Sequence, residues 1–147
     1  ITFCLPAVFF GQLNGRGVIC GVDADGYGIE SFEFGVDSVT QKGIWREGDS
    51  FTINQLKAVR YSVTSSEVIW YDERFFDINE ESEYGRTTHT LSRKTGILIE
   101  TAKDFPSHLR RYECQIFADV DSYNSEMNRI RDIRQEEYDK EREGNLL

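Results

Sequence analysis

Two histidines, His89 and His108, are the natural first place to look for general acid–base chemistry in this chain, since they are its only ones. Nucleophilic catalysis would set one of them beside Ser92, Ser107 or a free thiol, with a carboxylate to orient the ring. The chain contains no Gly-x-Ser-x-Gly elbow, no His-Glu-x-x-His pair and no glycine-rich phosphate loop. His89 alternates among threonines in Thr87-Thr88-His89-Thr90, a pattern that predicts the surface of a strand rather than a catalytic dyad. Asp23-x-Asp25-Gly26-x-Gly28 begins like a calcium loop and has glycine at the sixth position, but the twelfth is Phe34 instead of the bidentate Glu. Asp23 and Asp25 are therefore weak metal candidates in what reads as a Gly-rich turn, and no cofactor is expected. Zinc is poorly served, because no two cysteines stand in Cys-x-x-Cys form. The chain reads as non-enzymatic, with a histidine-dependent hydrolase as a remote alternative.

The cysteines carry a different chemistry. Cys20 lies in the β-branched run Gly17-Val18-Ile19-Cys20 and Cys114 in Arg111-Tyr112-Glu113-Cys114, at opposite ends of the strand-patterned body. Paired, they would tie the first strand to the last and stabilise the fold by about 4–5 kcal/mol on the chain-entropy model. Unpaired, they would be two buried thiols. The third, Cys4, sits in an uncharged and almost wholly apolar stretch, residues 1–11, ahead of the polar Gln12-Leu13-Asn14-Gly15-Arg16-Gly17. That stretch reads as the hydrophobic region and cleavage zone of a secretory signal whose basic part lies upstream, the other reading being a buried first strand. Its removal would take Cys4 and leave an even pair. Export and pairing support each other, because disulfides persist in oxidising compartments. A periplasmic or secreted location is expected, with no membrane span in the mature chain.

The elements that must hold these groups are mostly extended. Hydrophobic content of 39% and aromatic content of 13% in 147 residues suffice for one cored domain. From residue 16 to 117, short alternating runs are split by turns: 18–22, then 29–34 with Phe32 and Phe34 on one face, 39–45, 51–53, 59–63 and 68–71. Residues 87–100 read as a hairpin whose turn Arg93-Lys94-Thr95-Gly96 ends in a G1 bulge. Asp72, Glu73, Asp77, Glu80, Glu81 and Glu83 break the rhythm and predict a long solvated loop, able at most to collect cations or meet a basic partner. Asp104-Phe105-Pro106 predicts another loop before a last strand over 109–117.

After residue 118 the period changes. Val120, Tyr123, Met127, Ile130 and Ile133 recur at helical spacing, with Asp119 or Asp121 placed to cap. The apolar first half should dock on the body or on a partner, and Tyr123, Met127, Ile130 and Ile133 are its candidate partner-binding residues. The charged second half, with Arg134, Tyr138 and Arg142 four apart, is expected to be solvated. The expected organisation is a signal remnant over 1–11, a β-domain over 12–118 and a helix over 119–147. Its fold class is mostly β, an antiparallel barrel or sandwich with one C-terminal α-helix.

Leu13-Asn14-Gly15-Arg16-Gly17-Val18-Ile19-Cys20, Val68-Ile69-Trp70, Thr90-Leu91-Ser92-Arg93-Lys94-Thr95-Gly96 and Tyr112-Glu113-Cys114 together resemble a group of small exported bacterial proteins of unknown function. That group runs from an early Gly-x-Gly-x-x-Cys through an Ile-Trp strand and a Leu-Asn-Arg-x-Thr-Gly hairpin to a closing Tyr-x-Cys; Ser92 stands here in place of the Asn. The closing Tyr-x-Cys is also similar to the end of periplasmic lysozyme-inhibitor barrels of the MliC type, whose inserting Ser-Gly loop has no counterpart in this chain. The resemblance implies a fold and an exported location. The net charge of -9 argues against nucleic acid and suits a cationic partner or mere solubility equally. The expected role is thus binding a protein or small ligand, and the alternative is acidic inhibition of a secreted cationic hydrolase such as lysozyme.

Overall fold

The computed structural model describes residues 13–21, 29–78, 81–102 and 105–145, without the side chains of 73–78, 81–85 and 105–108. The apolar stretch 1–11 and the Asp23–Asp25 turn lie outside the described residues. Within them are nine strands: β1 (Arg16–Gly21), β2 (Glu30–Phe34), β3 (Ser38–Glu47), β4 (Ser50–Gln55), β5 (Val59–Val63), β6 (Glu67–Ile78), β7 (Glu81–Ser92), β8 (Ile97–Ala102) and β9 (Phe105–Ile116). One helix, α1 (Val120–Asn145), follows.

Every neighbouring pair is antiparallel. The order β1-β9-β8-β7-β6-β5-β3-β2 returns to β1, so eight strands close a barrel and β4 extends β3 outside the ring. Each strand of the ring thus has a neighbour on both sides, β3 and β5 over two rungs only. The parity of each strand sorts its residues. Val18 and Cys20 of β1, Phe32 and Phe34 of β2, Val68 and Trp70 of β6, Leu91 of β7, Leu98 of β8 and Tyr112 of β9 form one interior cluster. The reverse face of β1 is covered as well, since Ile19 packs with Tyr123, Met127 and Phe117 beneath α1. With both faces buried, β1 is a continuous apolar run rather than an alternating one.

Cys20 and Cys114 stand directly opposite each other on β1 and β9 and are joined by a disulfide, 94 residues apart in sequence. The bond ties the first strand of the ring to the last.

The helix docks through a glycine. A Cβ on Gly17 would lie 2.0 Å from Cγ of Tyr123, so the ring occupies the space that any side chain there would need. Tyr123 reaches across β1 and shares a hydrogen bond with the Ser31 hydroxyl on β2. Asp119 caps the helix, its Oδ1 accepting from the Ser122 amide at 2.7 Å. That bond holds the Asp119 carboxyl below its ordinary range.

Two segments expected to be loop are strand. The acidic stretch after Asp72 is a long hairpin, paired from Glu67↔Ser92 out to Ile78↔Glu81. Its acidic residues are interleaved with Tyr71, Phe75, Phe76, Tyr84, Thr87 and Thr88, whose preference for extended backbone outweighs the charge count. β9 likewise begins at Phe105, four residues before the expected start. The expected hairpin turn is present, with Gly96 at a φ of 71°, where a side chain would be strained, and its amide donating to the Ser92 carbonyl at 3.0 Å.

Candidate functional site

The barrel interior changes character along its axis. One end is hydrocarbon and aromatic. At the other, the inward positions of β6, β7 and β8 are Asp72, Thr87, His89 and Glu100. Register brings three of the key groups side by side: Trp70 lies opposite His89, and His89 opposite Glu100.

His89 is fully enclosed, at 0% exposure. Its Nε2 is 2.8 Å from Asp72 Oδ2 and its Nδ1 is 3.2 Å from Glu100 Oε2. The ring stacks on Trp70, centroids 5.0 Å apart and planes within 6°, and the edge of Phe32 closes it from another side. The Asp72 contact is a hydrogen bond, whereas Glu100 approaches Nδ1 without hydrogen-bond geometry. Glu100 is 3% exposed, so its charge is felt strongly nearby. Burial first, then the charges of Glu100 and Glu30, push the Tyr112 hydroxyl up to about 12.

The prediction that His89 lies on a strand surface is thus corrected. Leu91, two residues on, lies in the core, and period two commits His89 to the same inward face. The threonine neighbours suggested solvent, but the parity of Leu91 decides. With Nε2 bonded to Asp72, Glu100 beside Nδ1 and the ring face covered by Trp70, His89 is enclosed by its neighbours. Ser92 is spent on its own turn, its Oγ accepting from the Lys94 and Thr95 amides. The side chains of Ser107 and His108 lie outside the described residues. Among the described residues, no group of three or more His, Cys, Asp or Glu is arranged to hold a metal ion.

Asp72 is also reachable from outside, its side chain 17% exposed. β3 and β5 pair over only two rungs, Ser38↔Arg60 and Val39↔Val59, before β3 turns to follow β4. Where they part, the wall opens into a cleft of about 570 Å³. Phe32, Val39, Val59 and Trp70 give it an apolar interior, Gln41 and Asp72 add polar groups, and Leu56, Lys57, Tyr71 and Arg86 form the rim. Arg86 lies over the exposed Tyr71 ring, 4.9 Å from its centroid. At this end Gln41 Oε1 and Thr87 Oγ1 are buried without a hydrogen-bond partner. Sequence reasoning missed Glu100, Gln41 and the cleft. Glu100 was detectable, since it alternates with Leu98 and Ala102 on an inward face.

The helix stripe sits elsewhere. Tyr123 and Met127 are spent on the chain's own barrel, Ile130 packs beside them, and Ile133 remains 40% exposed. The apolar face is therefore covered intramolecularly, which leaves Tyr123 and Met127 no surface to offer a partner. The charged half of α1 is not simply solvated. Gln135 accepts from the Phe51 amide and donates to the Asp49 carbonyl, both at 2.8 Å. Tyr138 donates to Asp49 Oδ1 and accepts from Arg46, and Arg142 pairs with Asp49 at 2.7 Å. The Tyr138 hydrogen bond and Arg142 hold the Asp49 carboxyl below its usual range. The stripe Arg134, Tyr138, Arg142 is thus a polar clamp on the β3–β4 hairpin.

Comparisons with family models, curated proteins and solved structures return no match to this chain. Among the described residues no helix is long and apolar enough to cross a membrane. The disulfide and that observation are compatible with a secreted or periplasmic protein.

Proposed function

We propose that this chain is an exported binding protein that takes a small molecule into the cleft between β3 and the β5–β6 hairpin. The observation that carries this is the parting of β3 from β5 after two rungs, which leaves a cleft lined by Phe32, Trp70 and Asp72 in an otherwise closed wall. A volume of about 570 Å³ falls within the span of small-molecule sites, and the lining sets Gln41, Lys57, Asp72 and Arg86 beside Phe32, Val39, Val59 and Trp70. The Asp72–His89–Glu100 group holds the floor rigid, so the site needs little ordering on binding. The disulfide, 94 residues across, keeps the ring closed outside the cell.

The test is a thermal-shift screen against a library of small amphipathic molecules, with hits mapped by amide chemical shifts. Hits should displace the resonances of Val39, Gln41, Val59, Trp70 and Asp72. A screen without hits, or hits that perturb only α1 and the β3–β4 hairpin, would overturn the proposal.

A further inference from the structure

We infer that the cleft is built for a zwitterion with a flat apolar body, its anionic group outward and its hydrogen-donating group inward. The inference rests on the cleft being the ligand site and adds the chemistry of what enters it.

The polar groups of the cleft are sorted by depth. Both cations, Lys57 and Arg86, are exposed at the rim, and Lys57 has no ion-pair partner among the described residues. Further in, the groups are acceptors. Gln41 donates its amide nitrogen to the Glu30 carboxylate, which as an acceptor-only group dictates the amide's orientation. That leaves Gln41 Oε1 facing the opposite way, buried and without a partner. Asp72, its side chain 17% exposed, adds a carboxylate bonded to His89. The Phe32 and Trp70 rings belong to the same lining.

An unpaired buried acceptor favours a ligand that brings an N–H or O–H donor, because the desolvation of that oxygen is already present in the free protein. The Asp72 charge favours a cationic donor over a neutral one. Two exposed cations at the mouth favour a carboxylate or similar anion there. A ligand with only one of these groups satisfies one zone and leaves the other as it was.

Four compounds separate the contributions: L-phenylalanine carries both groups, 3-phenylpropionate the anion, phenethylamine the donor cation, and ethylbenzene neither. Calorimetric titration should rank L-phenylalanine at least tenfold tighter than either single-group analogue, a ratio equivalent to about 1.4 kcal/mol. Lys57→Met should weaken L-phenylalanine and 3-phenylpropionate several-fold and leave phenethylamine unchanged. Gln41→Met should do the reverse, with melting curves confirming that both variants fold. Equal affinity for all four compounds would reject the zwitterion while leaving the cleft as the site. So would indifference of both variants, or no binding by these four when other compounds bind the cleft. Absence of any ligand in the broad screen would instead reject the site itself.

Discussion

Substituting Gly17 by alanine should undock the first half of α1. Gly17 has an ordinary strand backbone, with no positive φ, so the effect would be purely steric. The new Cβ would sit 2.0 Å from Cγ, 2.1 Å from Cδ1 and 2.6 Å from Cβ of Tyr123, where carbon atoms ordinarily approach no closer than about 3.5 Å. The clash is with the root of the ring, so rotation of the side chain cannot relieve it and the helix must lift. Lifting uncovers Tyr123 and Met127, each worth about 1.5–3 kcal/mol when buried. It also breaks the Ser31–Tyr123 hydrogen bond, worth about 1 kcal/mol net. The polar clamp at Asp49 lies further along α1 and limits how far the helix can leave. The expected loss is about 3–6 kcal/mol, read as the urea midpoint followed by tryptophan fluorescence. In a Tyr123→Gly background, which removes all three of these atoms, the same substitution should lose less than about 0.5 kcal/mol, the range of a neutral surface change. A loss below about 1 kcal/mol in the native background, or an equal loss in both, would refute the reasoning.

Other outcomes follow from the interior. Replacing Cys20 and Cys114 together by alanine should remove at most about 4–5 kcal/mol, seen as a lower denaturant midpoint that no longer responds to reductant. His89→Leu should destabilise by about 3–5 kcal/mol at neutral pH, because Asp72 and Glu100 would face an apolar group; adding Glu100→Gln should recover part of that. Burial pushes the Tyr123 hydroxyl, like that of Tyr112, up to about 12 from an ordinary 10.0. The unfolded chain releases these protons first, so their contribution is full below about pH 10 and is lost as pH rises toward 12. Urea midpoints across that window should fall less steeply in Tyr123→Phe, and identical slopes would contradict the assignment.

Much of the barrel was legible from alternation alone. Phe32 and Phe34 on one face, the Gly96 turn, and the change to helical spacing after residue 118 each reflect a local rule that tertiary structure kept. The disulfide was legible because its two cysteines sat in the first and last extended runs. The failures share a cause. Charge and polarity were taken as solvent exposure, whereas in a closed barrel parity decides the face. Hence the acidic hairpin after Asp72 read as loop, and His89 read as surface. The helix stripe read as docking on the body or on a partner, and nothing local decides between them because the groove that Gly17 leaves for Tyr123 is tertiary. The cleft could not be read at all, since it depends on how many rungs β3 and β5 share, a property of the closed ring.

The central claim is that this cleft is a ligand site. Trp45→Phe leaves Trp70 as the chain's only indole and gives a single reporter on the cleft floor. Titrating that variant with the compounds that raise its melting temperature should move the Trp70 Nε1–H resonance saturably, together with the amides of Gln41 and Asp72. A Trp70 resonance that stays fixed while the protein is saturated would contradict it.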